Sequence, residues 1–206
     1  MKAYDKGGGD YQQAPAGTHL ARCIRLIDLG THWNEMYKVD RHQVYIGFEL
    51  PNERMTWKDE NKQEHEGPFM VGGFYTLSLS EKSKLRPLLA SWRGREFTPE
   101  ELDGFVMKNI LDKPCMLNII STTKGNKTKS EIAAIMPPMK GAECPKRENE
   151  LIYFSLEEYV AADFEKVPKG LKKIIEESHE YKQIHGQTAE NGNGGAADKF
   201  DDDIPF

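Results

Sequence analysis

Residues 69–80 of the chain, FMVGGFYTLSLS, decide its fold. They carry enough apolar residues for a β-strand, namely Phe74, Tyr75, Leu77 and Leu79. Two adjacent glycines, Gly72 and Gly73, remove two side chains from this strand, which is typical of a bulge or a sharp bend. The stretch therefore predicts a strand in a sheet that curls towards a barrel, and a flat open sheet is not expected.

Two strands are predicted before this stretch. Apolar residues alternate with other residues over residues 18–29 and again over residues 42–50, which is the period of a β-strand. The polar stretch 30–41 joins them, so we expect an antiparallel pair. The charged stretch 51–67, which leads to the third strand, is predicted to be a long hairpin or a loop insertion.

A helix is predicted directly after the third strand. Residues 81–92 follow Ser80, carry apolar residues at helical spacing and end just before Gly94, a residue type that favours helix ends. Trp92 belongs to this apolar stripe and is expected in the core. A short second helix is predicted to begin at Thr98.

A last pair of strands completes the sheet. Residues 114–122 and 129–136 are β-like runs, joined by the basic turn 123–128. Three strands, a helix and then a strand hairpin are the order of the five-stranded oligonucleotide-binding (OB) barrel, whose helix lies between strands three and four. We therefore predict a mainly β protein with an OB-fold domain over residues 16–140.

The rest of the chain divides by composition. Residues 1–15 are expected to be a flexible N-terminus, and residues 141–185 a helical extension with helices at 155–162 and 168–185. Residues 186–200 contain no apolar period and predict a disordered linker. The acidic peptide at 201–206 regains apolar residues after this linker.

The formal net charge of −5 is unevenly distributed. Residues 150–206 carry 13 acidic and six basic side chains, whereas residues 1–149 carry 20 acidic and 22 basic ones. The acidity therefore belongs to the C-terminal part. The predicted barrel keeps the Lys and Arg side chains that phosphate binding needs.

The last six residues, DDDIPF, place three carboxylates beside apolar side chains and a terminal carboxylate. Such a peptide suits an apolar pocket with a basic rim on another protein. On this string, the chain resembles the bacterial and phage single-stranded DNA-binding proteins, which combine a barrel, a disordered linker and an acidic tip. The resemblance implies a protein-docking role for the C-terminal tip, which consists of Asp201, Asp202, Asp203, Ile204, Pro205 and Phe206.

The resemblance also implies a function. The apolar residues of the tip would insert into pockets on replication, recombination and repair proteins, while the aspartates meet their basic rims. The opening of the barrel, Ala16-Gly17-Thr18, looks more like small phage replication proteins. We therefore expect a phage or prophage protein that coats single-stranded DNA in the cytoplasm of a bacterial host, as a monomer or small homo-oligomer.

Contacts to single-stranded DNA need exposed rings for base stacking and cations for phosphates. The stretch after strand one supplies Trp33, Tyr37, Lys38 and Arg41. Strands two and three supply Tyr45 and Tyr75, although Phe48 or Phe74 takes this role if the face is reversed. The turn between the last strands supplies Lys124, Lys127 and Lys129. Trp57, in the charged stretch, is expected to be structural.

Other functions find little support in the sequence. The three cysteines lie far apart, so neither a disulfide framework nor a zinc site is indicated, and Cys23 and Cys115 are expected in the core. No phosphate-binding loop motif occurs. The carboxylates that a nuclease could use for a metal, such as Asp28, Glu49 and Asp112, are dispersed, and we expect no catalytic residues, metal or cofactor. No stretch is long and apolar enough for a membrane span. Two alternatives remain, a recombination mediator or strand-annealing protein and an adaptor that docks on host repair enzymes without binding DNA.

Overall fold

The structure is a computed structural model that describes residues 12–59, 61–124 and 127–186. The strands, in chain order, are β1 Gly17–Asn34, β2 Val39–Lys58, β3 Glu64–Thr76, β4 Pro114–Lys124, β5 Lys127–Met136 and β6 Ile152–Phe154. The helices are α1 Leu85–Arg93, α2 Pro99–Asp103, α3 Ala161–Lys166, α4 Lys169–Glu176 and α5 His179–Ile184, and a 3₁₀ turn spans Met107–Ile110.

Five of the strands form one curled antiparallel sheet in the order β3-β2-β1-β4-β5. The two end strands, β3 and β5, approach each other, so that the sheet forms a half-barrel. The short strand β6 pairs in parallel with β1 at Arg25 to Ile27, beyond Arg22, where β4 leaves that edge. The prediction of a mainly β protein with a helix between strands three and four is confirmed.

Register shifts mark the irregular points of the sheet. The pairing of β1 with β2 shifts between Cys23 and Arg25 and again between Asp28 and Gly30. Gly30 has a φ of 77°, in the left-handed region that glycine adopts most readily. Bulges of this kind increase local twist and bend the strand. The pairing of β2 with β3 also shifts between Leu50 and Arg54, and that of β4 with β5 between Asn118 and Ile119, so none of the shifts lies at the glycine pair of the third strand.

Gly72 and Gly73 do not form the predicted bulge. They pair in register with Gly47 and Ile46, without a shift. A Cβ atom at Gly72 would lie 2.1 Å from the hydroxyl oxygen of Tyr45. The missing side chain therefore leaves room for the Tyr45 ring to lie against the sheet.

The principal core lies on the inner face of the sheet. Alternate residues of β2 from Val44 to Leu50 point into it, and α1 packs against it. Cys23, Cys115 and Trp92 are all buried in this core, so the predictions for these three residues are confirmed.

A second core lies on the outer face, beneath the C-terminal extension. Ile27, Leu29 and Tyr45 of the sheet are buried against apolar residues of β6 and the last helices, which include Phe154, Leu156, Phe164, Val167, Leu171 and Ile175. Full burial of each large apolar side chain stabilises a fold by about 1.5 to 3 kcal/mol. The extension is therefore part of the folded body.

The predicted helices of this extension need correction. Only the last two residues of 155–162 are helical, because Ile152–Phe154 is held as a strand and the Leu156 N–H donates a hydrogen bond to Asp28 at 3.1 Å. The helix predicted over 168–185 is two helices. Ser178 separates them, since its buried hydroxyl caps α5 by accepting from the Tyr181 N–H at 3.2 Å.

Two connections are also shorter or more regular than predicted. Most of the polar stretch 30–41 belongs to β1 and β2, and the charged stretch 51–67 is a β-hairpin, the first of its two predicted forms. The first helix begins at Leu85, not at residue 81, and ends as predicted at Gly94, which has a φ of 66°. Thr98 caps α2 as predicted.

The termini of the chain lie largely outside this description. Residues 1–11 of the predicted flexible N-terminus, all of the predicted linker except Gly186, and the C-terminal tip 201–206 are outside the described residues. Within the described ranges, no helix is long and apolar enough to cross a membrane.

Candidate nucleic-acid interface

The turn between β1 and β2 is held by its own hydrogen bonds. Strand pairing continues to Asn34 and Val39, so only residues 35–38 form the turn. The Asn34 side-chain oxygen accepts a hydrogen bond from the Tyr37 N–H at 3.0 Å, and the Asn34 backbone carbonyl accepts one from the Lys38 N–H at 2.8 Å. We call residues 33 to 41 the 33–41 hairpin, and these bonds fix the shape of its end.

Large apolar side chains are exposed on the 33–41 hairpin. Trp33 is 50% exposed and Tyr37 is 57% exposed. Met36 and Val39, which the sequence analysis did not single out, are 80% and 46% exposed. Exposed rings of this kind can stack on bases, since every base has a π face. Met36 and Val39 are identified only by their exposure in the folded state, because the periodicity of the sequence gives no information on exposure inside a turn.

Arg41 and Tyr37 form one unit of the hairpin. The guanidinium carbon of Arg41 lies 4.0 Å from the centre of the Tyr37 ring, which is a cation–π contact. A single strand presents bases and phosphates side by side, so a ring and a cation held together match its repeating chemistry. The structure therefore brings these two predicted residues together.

Glu35 joins the other two predicted residues of the hairpin. Its carboxylate accepts a hydrogen bond from the Trp33 indole at 2.9 Å and one from the Lys38 ammonium at 2.5 Å. The hydrogen bond from Lys38 lowers the pKa of the Glu35 carboxyl. Lys38 is thus already paired with a carboxylate, whereas Arg41 contacts the Tyr37 ring.

The two rings of the hairpin lie on different faces. Trp33 pairs with Asp40, and its neighbour His32 pairs with Arg41. Because successive strand residues point to opposite faces, Trp33 and Arg41 point away from each other. A bound strand would have to pass around the end of the hairpin to meet both.

The two tyrosines predicted on strands two and three are not available in the same way. Tyr45 is 1% exposed and lies in the second core, so the prediction that its ring faces DNA is wrong. Tyr75 is half-buried against the principal core, and burial raises its pKa to about 12. The physical reason is that both faces of this sheet are covered, one by α1 and the other by the C-terminal extension.

Phe48 and Phe74, the alternative residues if the faces of strands two and three are exchanged, do not replace the two tyrosines. Phe48 is fully buried in the principal core, with its ring 5.5 Å from that of Trp92. Phe74 packs edge to face on Tyr45, with ring centres 5.3 Å apart, at the border of the second core. Neither phenylalanine is placed for base stacking.

The predicted lysines lie beyond the other end of β1. Strands β4 and β5 extend past Gly17, the first residue of β1, to their last pair, Lys124 with Lys127. Lys129 pairs with Thr122 on the same hairpin. The side chains of Lys124 and Lys127 lie outside the described part of the chain. We call the turn that carries Lys124, Lys127 and Lys129 the lysine turn. It lies at the opposite end of β1 from the 33–41 hairpin, so the two do not form one local site.

Trp57 lies on the hairpin arm that β2 and β3 form beyond β1. Its ring stacks on His65 with centres 5.7 Å apart, and His65 pairs with Asp59 at 3.0 Å. A Cβ atom at Gly67 would lie 3.0 Å from the Trp57 ring. These contacts favour the structural role expected from the sequence, although 44% of Trp57 is exposed.

A polar network anchors the base of the 33–41 hairpin to α5. His42 lies 2.6 Å from an Asp28 carboxylate oxygen, and this hydrogen bond raises the pKa of His42. Glu180 of α5 accepts hydrogen bonds from the hydroxyl and the N–H of Thr31 at 2.6 and 2.7 Å. The extension therefore holds the hairpin by hydrogen bonds as well as by apolar packing.

Two further predictions concern a metal site and the C-terminal tip. In the part of the chain that the structure describes, no group of three or more His, Cys, Asp or Glu side chains could hold a metal ion. The docking contacts of residues 201–206 stay predictions, because these residues lie outside the described ranges.

No protein-family model matches the chain, and no curated protein matches it either.

Proposed function

We propose that the chain binds single-stranded DNA and coats and protects it during phage DNA replication, recombination and repair. The observation that carries this proposal is the 33–41 hairpin, where Trp33 and Tyr37 expose half or more of their surface and Arg41 lies over the Tyr37 ring. Base stacking on such rings is worth roughly 1 to 3 kcal/mol per base, whatever the base. Two stacked bases would therefore be enough for a measurable contribution.

The order of the secondary structure supports an OB barrel as the scaffold. The strand order β3-β2-β1-β4-β5 and the helix α1 between β3 and β4 are the observations that support this assignment. In OB barrels, the loop between strands one and two is one of those that bind oligonucleotides. The 33–41 hairpin occupies that position in the chain.

The C-terminal extension changes which surface would meet DNA. OB barrels bind ligands over strands two and three, but here Tyr45 on that face is buried and its neighbour Phe74 is partly buried. We therefore assign the main contact to the 33–41 hairpin and not to the covered sheet. The lysine turn of β4 and β5 would act as a separate phosphate contact.

The C-terminal tip would recruit partner proteins in this proposal. Its three aspartates and two large apolar residues suit a pocket with a basic rim, and a tether raises the effective concentration of a docked enzyme near the DNA. Pull-down of replication and repair proteins from a bacterial lysate with Phe206→Ala and with the unchanged chain tests this role. Equal recovery by both would disprove it.

Fluorescence polarisation of a labelled poly-dT strand, measured with the full chain across a salt series, tests DNA binding. We expect strand-selective binding that weakens with salt, and a loss of about 5-fold or more for Tyr37→Ala and for Trp33→Ala, since about 1 kcal/mol is the smallest stacking contribution. Trp57→Ala is the matched control, because it removes an exposed ring beyond the opposite end of β1. Equal binding of single strand and duplex, or equal losses in all three variants, would refute the proposal.

One observation favours a second candidate, the adaptor that does not bind DNA. The face over strands two and three, which is the usual ligand face of an OB barrel, is covered by the extension. An adaptor would need only the scaffold and the C-terminal tip. It would show no affinity for poly-dT at low salt, whereas tip-dependent capture of partner proteins would persist.

A further inference from the structure

The 33–41 hairpin projects beyond the rest of the sheet. Strand β2 pairs with β3 only as far as Gln43, and β6 pairs with β1 only as far as Ile27. The four residue pairs over 31–34 and 39–42 therefore pair with no third strand of the described sheet. At about 3.3 Å per residue, this two-stranded ribbon is roughly 13 Å long. A ligand can thus approach both of its faces near the tip.

The tip of the hairpin is apolar and held in shape. Met36 is the most exposed of the large apolar side chains in the described ranges. Asn34 closes the turn by two hydrogen bonds, and Glu180 of α5 accepts two more from Thr31 at the base. Proteins that bend or open DNA place apolar side chains, methionine among them, as wedges against base steps. Met36 is therefore suited to stack on the last base pair of an open duplex.

The two faces of the hairpin differ in charge. On one face, Trp33 pairs with Asp40 across the strands, and its indole donates a hydrogen bond to Glu35 at 2.9 Å. On the other face, the Arg41 guanidinium lies 4.0 Å from the centre of the Tyr37 ring. Carboxylates repel phosphate, whereas a guanidinium binds it. The Trp33 face therefore suits a base whose phosphate points away, and the Tyr37 face suits a base together with its phosphate.

This arrangement fits two strands better than one. A single strand meets both faces only if it reverses direction around the tip, because Trp33 and Arg41 point away from each other. The two strands that leave an open duplex diverge, so each can pass along one face without such a reversal. The tip then faces the base pair at which the strands part. A fork in DNA therefore brings a stacking partner to the tip and to each face at the same time.

We propose that the 33–41 hairpin recognises the fork at which duplex DNA opens into two single strands. Met36 stacks on the last base pair, and Trp33 stacks on an unpaired base of one strand. Tyr37 stacks on a base of the other strand, whose phosphate Arg41 binds. Stacking accepts any base, so the sequence at the fork does not matter. The inference rests on the proposed binding of single-stranded DNA and adds the form of DNA that the hairpin prefers.

Fluorescence polarisation with the full chain tests the preference for a fork. The two DNAs are a fork with two dT arms and a poly-dT strand with the same number of unpaired nucleotides. We expect the fork to bind about 5-fold more tightly or better, because the tip adds at least one stacked base to the contact. Met36→Ala should remove most of this preference. Met139→Ala, which truncates another largely exposed methionine outside the hairpin, should leave it unchanged.

A photocrosslink identifies the strand that each ring meets. Iodouracil, which crosslinks to stacked aromatic side chains under ultraviolet light, is placed at the first unpaired position of one arm of the fork or of the other. We expect one arm to crosslink to Trp33 and the other to Tyr37. Trp33→Ala should abolish only the crosslink of its own arm. Crosslinks of both arms to the same ring would overturn the proposal.

Equal affinity for the fork and for poly-dT would also overturn it, as would a preference for the fork that Met36→Ala retains in full or that Met139→Ala loses as well. These results differ from a failure of the proposed function, which would appear as the absence of strand-selective binding to poly-dT. Strand-selective binding to poly-dT without a preference for the fork would leave the proposed function in place and remove this inference alone.

Discussion

Replacing Phe154 by alanine is expected to remove about 3 to 5 kcal/mol from the free energy of unfolding, the usual cost for a phenylalanine in a filled core. Phe154 is 2% exposed, and its ring packs against those of Tyr159 and Phe164, with centres 6.0 and 5.5 Å away. Domains are typically stable by only about 5 to 15 kcal/mol. The loss would therefore be a large share of the total, although Phe154 lies outside the predicted barrel.

Urea unfolding followed by circular dichroism and by tryptophan fluorescence measures this loss. For a chain of this size, each kcal/mol lowers Tm by about 2 to 4 °C, so a fall of roughly 6 to 20 °C is expected. Val106→Ala is the matched control, because Val106 is 61% exposed and its truncation should change stability by less than about 0.5 kcal/mol.

Two results would show that the extension is not an integral part of the folded body. One is a loss below about 1 kcal/mol in Phe154→Ala, and the other is a separate transition of the extension at low urea in the unchanged chain. Either would mean that the extension opens easily and that the face carrying Tyr45 is accessible to DNA. The assignment of the main contact to the 33–41 hairpin would then fail as well.

Two other predictions concern the outer face and the base of the hairpin. Gly72→Ala should destabilise the chain by about 1 to 3 kcal/mol in urea unfolding, because its Cβ would lie 2.1 Å from the Tyr45 hydroxyl, whereas Gly104→Ala meets nothing within 4 Å and serves as the control. His42, whose pKa is raised by the hydrogen bond with Asp28, should stabilise the fold below about pH 6.5, and this contribution should disappear as pH rises through the raised pKa. Unfolding curves from pH 6 to 9 should show this pH dependence in the unchanged chain and lose it in His42→Gln; identical pH profiles would contradict it.

The strands of the sheet were predicted well wherever apolar and polar side chains alternate along the sequence. The first five strands of the half-barrel sheet and the position of α1 among them follow from apolar alternation and from end signals such as Thr98 and Gly94. Boundaries failed where pairing continues through polar residues. The stretch 30–41 is polar, yet most of it is strand, because the partner strand supplies its hydrogen bonds.

The candidate site could be predicted only in part. Trp33, Tyr37 and Arg41 are exposed or partly exposed, as expected of a ring or cation in a polar stretch. Tyr45 failed because alternation along β2 distinguishes two faces without telling whether a distant segment covers the second one. The segment that covers it begins about 100 residues later, at β6.

The sequence alone determined a mainly β chain, its helix after the third strand, the uneven charge and the resemblance carried by residues 201–206. These depend on local periodicity and composition, which are visible in any single stretch. Only the tertiary structure decided which rings are exposed, how Gly72 makes room for Tyr45, and that Trp33 and Arg41 point to opposite faces of one hairpin. The burial of a side chain and the charges around it depend on which distant segments pack against it. The hydrophobic and electrostatic free energies that result therefore cannot be read from the residues next to it in the sequence.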